Sequence, residues 1–225
     1  MITSAHNPKL RLIRRLLASR RQREREGLFV CEAEDLLEAA RAAGIEPVEV
    51  LVAGEDVEPA LLAELSTMGH PPRVISVFRR DDLPIGYRDV VLGLWRVADP
   101  GNVGTLLRAA DAFGASVALS AGCADPTGPR ALRASAGAIF RVPLGRFDEA
   151  PGRRLALDAH AGKPLPELDL TPPVVLVLGA EREGLPELAG AETATIPLPG
   201  DAESLNVAMA GAIALYELSR APGTR

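Results

Sequence analysis

The chain has 225 residues, 47% hydrophobic and 24% charged, with a net charge of −5, the composition of an ordinary globular protein and not of a disordered or fibrous one. No apolar run approaches the roughly 20 residues a membrane span needs, and the opening MITSAHNPKLRL has no apolar segment behind a basic start. Neither a membrane partner nor a secretory signal is expected, and the cytoplasm is the expected compartment. Residues 1–25 nevertheless hold Lys9, Arg11, Arg14, Arg15, Arg20, Arg21, Arg23 and Arg25 against Glu24 alone, while the rest of the chain is acidic. A basic segment on an acidic chain points to a local phosphate-binding surface, where a DNA-packing protein would be basic throughout.

Taken in chain order, 7–26 reads as an amphipathic helix: Leu10, Ile13 and Leu17 fall at helical spacing and the arginines take the opposite face. A short strand over 28–30, a helix over 32–44, a strand over 48–53, a helix over 58–69 and a strand over 73–77 follow. That alternation predicts a small α/β domain over 1–80, with 81–88, which contains Pro84 and Gly86, as the linker. The second domain, 89–225, opens with the apolar run VVLGLWRV, suited to a strand buried on both faces, which enters a glycine turn and a helix over 99–115. Further strands are expected at 116–120, 139–144, 154–159, 174–179 and 194–199, with a closing helix over 202–220.

Glycine turns after strands often mark close approach of backbone to a nucleotide or cofactor. Three occur here, PGNVG, GAEREGLPEL and PGDAESLN. None is G-x-x-x-x-G-K-[ST] or G-x-G-x-x-G, and no ribose-binding acid follows the strand at 116–120, so a nucleotide-dependent oxidoreductase loses support. Cys31 and Cys123 are too few for a disulfide framework, and with three scattered histidines they offer no metal-ligand spacing; no metal site is expected. Eight aromatic residues are too few for base-stacking platforms, so any nucleic acid would be read by charge and shape.

The three turns in order resemble the motifs of the SpoU-type (TrmH-like) RNA ribose methyltransferases of the SPOUT superfamily. They are N-x-G-x-x-x-R as Asn102, Gly104 and Arg108; L-G-x-E then G-L as Leu178, Gly179, Glu181, Gly184 and Leu185; and I-P then S-L-N-V as Ile196, Pro197, Ser204, Leu205, Asn206 and Val207. ALRASAGAIFRVPL, with Arg133, Ser135 and Gly137, matches the segment between the first two motifs. The resemblance implies an α/β fold, its C-terminal parallel-sheet domain threaded as a deep trefoil knot and preceded by a small α/β substrate-binding domain. It further implies S-adenosylmethionine as cofactor, held by backbone around Leu178, Gly179, Gly184, Ile196, Leu205 and Asn206, and a homodimer through the knotted domain. Val207, Met209, Ala210, Ile213 and Ala214 supply a broad apolar face for the dimer.

The implied reaction is methylation of a ribose 2′-hydroxyl of RNA, rRNA in preference to tRNA on the strength of the N-terminal domain. A tRNA enzyme and a non-catalytic RNA-binding or assembly protein on the same fold are the alternatives. Asn102, Arg108, Glu181, Ser204 and Asn206 are the expected catalytic set, and Lys9, Arg11, Arg14, Arg15, Arg21, Arg133 and Ser135 the expected RNA contacts. A guanidinium is ordinarily too basic to act as a general base, so the role assigned to Arg108 is to orient the target ribose and stabilise the emerging alkoxide. Its side chain, leaning back toward the turn that opens its helix, is expected to face the cleft.

Overall fold

The computed structural model describes residues 1–180, 185–186 and 188–221. The chain begins with two helices, α1 (Pro8–Ala18) and α2 (Arg20–Glu26), where the hydrophobic pattern suggests one. Ser19, extended at φ −141°, breaks them, and α2 ends at Gly27 in the left-handed conformation that glycine adopts at least cost. There follow β1 (Leu28–Glu32), α3 (Glu34–Ala42), β2 (Glu49–Val52), α4 (Pro59–Leu65) and β3 (Val74–Arg79). The three strands form a sheet in the order β1-β3-β2, with both pairings antiparallel. Strand alternation then decides the layers. Val30, Ile75 and Val77 pack with Leu10, Ile13 and Leu16 of α1, whereas Phe29, Cys31, Val74 and Phe78 join the main core on the other face.

The larger body contains β4 (Val90–Trp95), α5 (Pro100–Ala112), β5 (Ser116–Leu119), α6 (Pro129–Ser135), β6 (Leu144–Arg146), β7 (Arg153–Leu157), β8 (Lys163–Pro164), β9 (Val174–Gly179), β10 (Glu192–Thr195) and α7 (Val207–Arg220). Its seven strands lie in the order β6-β5-β4-β9-β7-β10-β8, and every pairing is parallel. β9 is central, which explains why its VVLVLG has no polar alternation: both faces are covered. The expected strand at 139–144 is instead a 3-10 turn, Ala138–Phe140, that enters the core before a later and shorter β6.

Two glycines set helix spacing. A Cβ on Gly104 of α5 would lie 2.6 Å from the Cβ of Ala134 and would also strike the carbonyl of Ala131, so glycine is what lets α6 lie against α5. A Cβ on Gly211 of α7 would lie 2.8 Å from Leu178 Cδ1 and strike Leu106, so this glycine lets α7 settle on α5 and β9.

Small sheet and large body share one core. Phe140 stands 6.2 Å from the ring of Phe29 and 5.2 Å from that of Phe78. Three ion pairs pin the same junction. Arg23 Nε donates to Asp125 at 2.8 Å, with both side chains at most 7% exposed, and Arg23 Nη1 also donates to Leu16 O. Arg80 adds bonds to Asp125 and Thr127. Burial pushes the Asp125 carboxyl up, but hydrogen bonds from Thr127 and Arg23 outweigh it and hold the group below its ordinary range. On the other side Glu32, its side chain 1% exposed, accepts from Arg133 at 3.1 Å and from Ser66 and Thr67.

Candidate active site

A cleft of about 280 Å³ opens where β7, β9 and β10 end. Ligand sites in parallel sheets gather at these carboxyl ends because the loops diverge there. Leu178, Gly179 and Ala180 leave β9 to form one wall; Ile196 and Leu198, beyond β10, form another. Ser204, Leu205, Val207 and Ala210 close it from the start of α7, and Leu157, Asp158, Ala159 and His160 from the end of β7. Four of the residues expected to hold a cofactor, Leu178, Gly179, Ile196 and Leu205, therefore share one cavity. Glu181 and Gly184 lie outside the described residues.

The β7 contribution is absent from the sequence-based expectation. Asp158 Oδ1 accepts from the amides of His160 and Ala161 at 2.8 and 2.9 Å, a turn that folds the chain back over the cleft. The signal for it was available: RLALDA is a buried parallel strand, and its end belongs with the ends of its neighbours.

The first and third motifs meet directly. Asn206 Nδ2 donates to Asn102 Oδ1 at 3.2 Å, while Asn206 Oδ1 accepts from the amides of Ala208 and Met209. Asn206 is thus the N-cap of α7, which starts at Val207 and leaves Ser204 and Leu205 in the loop as cleft wall. It contributes no wall of the cavity itself. The cap of α5 is Asp99, whose Oδ1 accepts from the amide of Asn102 at 2.9 Å; Asn102 sits one turn in, its side chain turned to Asn206.

Arg108 departs from expectation. It is exposed on α5, does not line the cleft of its own chain, and makes no side-chain hydrogen bond or ion pair among the described residues. The neighbours on its helix, Leu106 and Leu107, turn inward with 0% exposure, so the helical phase that buries them carries Arg108 to the surface.

The expected RNA contacts divide. Arg11, Arg14, Arg15 and Arg21 are exposed on α1 and α2, and Lys9 is exposed but paired with Glu49 at 2.7 Å. Arg133 is turned inward to Glu32 and Thr67. Ser135 is 0% exposed, its hydroxyl donating to Leu132 O at 2.8 Å, so it has no surface to offer RNA. It stands where α6 crosses Gly104, and a small residue is needed there for packing.

Residues 89–216 match the SpoU rRNA Methylase family. An uncharacterized tRNA/rRNA methyltransferase of Synechocystis is 31% identical, with 97% of this chain and 93% of that protein aligned. The 23S rRNA (guanosine(2553)-2′-O)-methyltransferase RlmP of Bacillus subtilis is 31% identical over 96% of this chain and 98% of its own. The crystal structure of an AdoMet-bound rRNA methyltransferase from Sinorhizobium meliloti superposes with a TM-score of 0.84 at 29% identity, covering 97% of each chain. With its three motifs gathered at one end of a parallel sheet and more than half its length matched, this chain belongs to the SpoU rRNA methylase family.

Proposed function

We propose that this protein transfers a methyl group from S-adenosylmethionine to a ribose 2′-hydroxyl of RNA, with ribosomal RNA as the substrate. The observation that carries the reading is the cleft itself, which places residues of the second and third motifs in one cavity while Asn102 and Asn206 join it to the first. The cavity suits this cofactor. Its walls are apolar at Leu178, Ile196 and Leu205, and the main chain at Gly179 and Ala180 supplies donors and acceptors for an adenine edge without charged side chains. Bound there, the cofactor supplies an electrophilic methyl carbon on a sulfonium. The chain's own work is to hold the ribose hydroxyl in line with that carbon, exclude water and receive a proton. Asn102 and Asn206, hydrogen-bonded to each other, form a polar pair, and Asn206 is next in the chain to the cleft-lining Leu205 and Val207.

Arg108 requires a second copy in this reading. It stands outside its own cleft, while α7 leaves Met209, Ile213 and Tyr216 exposed at 59%, 37% and 49%. We propose that these residues seat a homodimer and that Arg108 of one copy serves the cleft of the other. Val207 and Ala214, expected on the same face, are spent inside the monomer. The proposal extends to a deep trefoil knot: supporting it, β10 lies beyond β7 in the sheet, yet the chain returns so that α7 packs on α5. The test is calorimetric titration of the purified protein with S-adenosylmethionine, followed by transfer of labelled methyl to 23S rRNA transcripts. Cofactor binding and labelled rRNA are expected; a protein that binds no cofactor overturns the reading.

A further inference from the structure

Among the described residues that line the cleft, Asp158 is the only carboxylate, and neither a lysine nor an arginine lines it. Asp158 is half-buried and held from two sides. Its amide donates to Ala194 O at 2.9 Å, which ties the end of β7 to β10, and its Oδ1 accepts from the amides of His160 and Ala161. Those bonds occupy Oδ1 alone; among the described residues Oδ2 accepts no hydrogen bond and the carboxylate joins no ion pair. A negative charge is therefore fixed in the wall of a largely apolar cavity. A cavity of about 280 Å³ is comparable in width to the roughly 8 Å over which physiological salt screens charge, so a cation bound in it lies within reach of this carboxylate.

The cofactor before and after transfer differs in charge. S-adenosylmethionine bears a sulfonium, an ammonium and a carboxylate, and so one net positive charge. In the proposed transfer the S–CH3 bond breaks with its electron pair left on sulfur, an O–CH3 bond forms to the ribose and the hydroxyl proton is released. The product, S-adenosylhomocysteine, is a thioether with no net charge. Apolar walls at Leu178, Ile196 and Leu205 and main chain at Gly179 and Ala180 meet both forms alike, because the adenosine is common to them. A fixed carboxylate does not: it attracts the form that carries the extra positive charge, and selectivity is the difference between the two affinities.

We infer that Asp158 is a specificity-determining residue of the cleft, which favours the sulfonium form of the cofactor over the demethylated product and so promotes exchange after each transfer. The inference rests on the cofactor reading above. Its test is calorimetric titration of the parent, Asp158→Asn and Ile196→Ala with S-adenosylmethionine, S-adenosylhomocysteine and sinefungin, in which an amine-bearing carbon replaces the sulfonium and keeps a positive charge without a transferable methyl. The titrations are run at about pH 7.5, where histidine contributes little charge. Asparagine keeps an oxygen to accept the amides of His160 and Ala161, so Asp158→Asn removes the charge and retains the turn; thermal melting checks the fold. Asp158→Asn is expected to weaken S-adenosylmethionine and sinefungin by about three- to tenfold and to leave S-adenosylhomocysteine within about twofold of the parent. Added salt should narrow the parent's preference for the charged ligands and leave that of Asp158→Asn flat. Ile196→Ala, which trims a wall common to all three, should weaken them by similar factors and preserve the preference. Equal effects of Asp158→Asn on charged and neutral ligands overturn the inference. So does a parent preference that salt does not change, a result read without any variant and therefore independent of how Asp158→Asn folds. A parent that binds neither S-adenosylmethionine nor S-adenosylhomocysteine defeats this inference and the proposed function together. A preference carried by Asp158 in a protein that leaves RNA unmethylated defeats only the proposed reaction, and methylation of rRNA by a protein whose preference ignores Asp158 defeats only this inference.

Discussion

The cleft and the arginine-rich surface are built by opposite physics. The cleft is mostly main chain and apolar side chain, with Asp158, His160 and Ser204 among its walls, at the ends of three parallel strands, its shape set by helices that glycine allows to pack closely. The surface of α1 and α2 is charge on long side chains with little fixed geometry, and its arginines do not all do the same work. Arg11, Arg14, Arg15 and Arg21 face water, whereas Arg23 is buried and joins the two sheets through Asp125. A count of basic residues therefore overstates the area open to phosphate, and the difference between the regions can be tested by the way each responds to substitution, pH and salt.

The largest effect is expected at the junction. Asp125→Ala leaves Arg23 buried without its partner and should destabilise the protein by about 3–5 kcal/mol, read from denaturant unfolding. The same pair sets an acid dependence. An aspartate in an unfolded chain titrates near 3.9, and Asp125 lies lower in the folded one. Its contribution is thus complete above about pH 4 and lost as pH falls through the folded value. Asp125→Asn should remove that part of the acid slope, and an unchanged slope would show that the carboxylate is not the group being titrated.

Next comes Arg108, proposed above to serve the cleft of a partner copy. Arg108→Ala should lower single-turnover methyl transfer by about two orders of magnitude with cofactor affinity unchanged. Arg108→Lys should recover little if orientation by the guanidinium fork matters. If Arg108 serves the cleft of the partner copy, mixing Arg108→Ala with a variant that cannot bind cofactor should restore activity in mixed dimers. No recovery on mixing would place the arginine and the cleft in one chain.

Smaller effects distinguish the two surfaces. Replacing Arg11, Arg14, Arg15 and Arg21 together by glutamine should weaken RNA binding at low salt, flattening the salt slope by about 0.7 for each phosphate no longer neutralised. Cofactor affinity should not move. Deleting residues 1–80 outright is a poor substitute, because it strips Phe29 and Phe78 from Phe140 and leaves Asp125 without its two arginine partners. Ile196→Ala, at the half-buried cleft wall, should raise the cofactor Kd by roughly three- to tenfold, from the smaller apolar area covered on binding, and leave the salt slope of RNA binding unchanged. A shift of both quantities by either substitution would show that the regions are not separable.

Much of this organisation was legible in the residues. VVLVLG could only be a buried strand, and it spans Val174–Gly179 as its pattern predicts. The motif spacing marked Leu178, Gly179, Ile196 and Leu205, which share the cleft. What local pattern could not carry was tertiary assignment. Alternating strands and helices in the first domain suit a parallel sheet as well as the antiparallel one found, because pairing depends on contacts far apart in sequence. IFRVPL has the composition of a strand, yet Phe140 is recruited to an aromatic cluster with Phe29 and Phe78, and packing overrides propensity. Ser135 and Arg133 looked like contacts for RNA because they lie in a motif; the motif there serves the seat of α6 on α5 and the bond to buried Glu32.

The most direct measurement is the chemical identity of the product. 23S rRNA incubated with the protein and S-adenosylmethionine should yield one nucleotide whose 3′ linkage resists alkali and which digests to a 2′-O-methylnucleoside, since a blocked 2′-hydroxyl cannot attack the neighbouring phosphate. A methyl group found on a base, or no methyl group on rRNA at all, would contradict ribose methylation by this cleft.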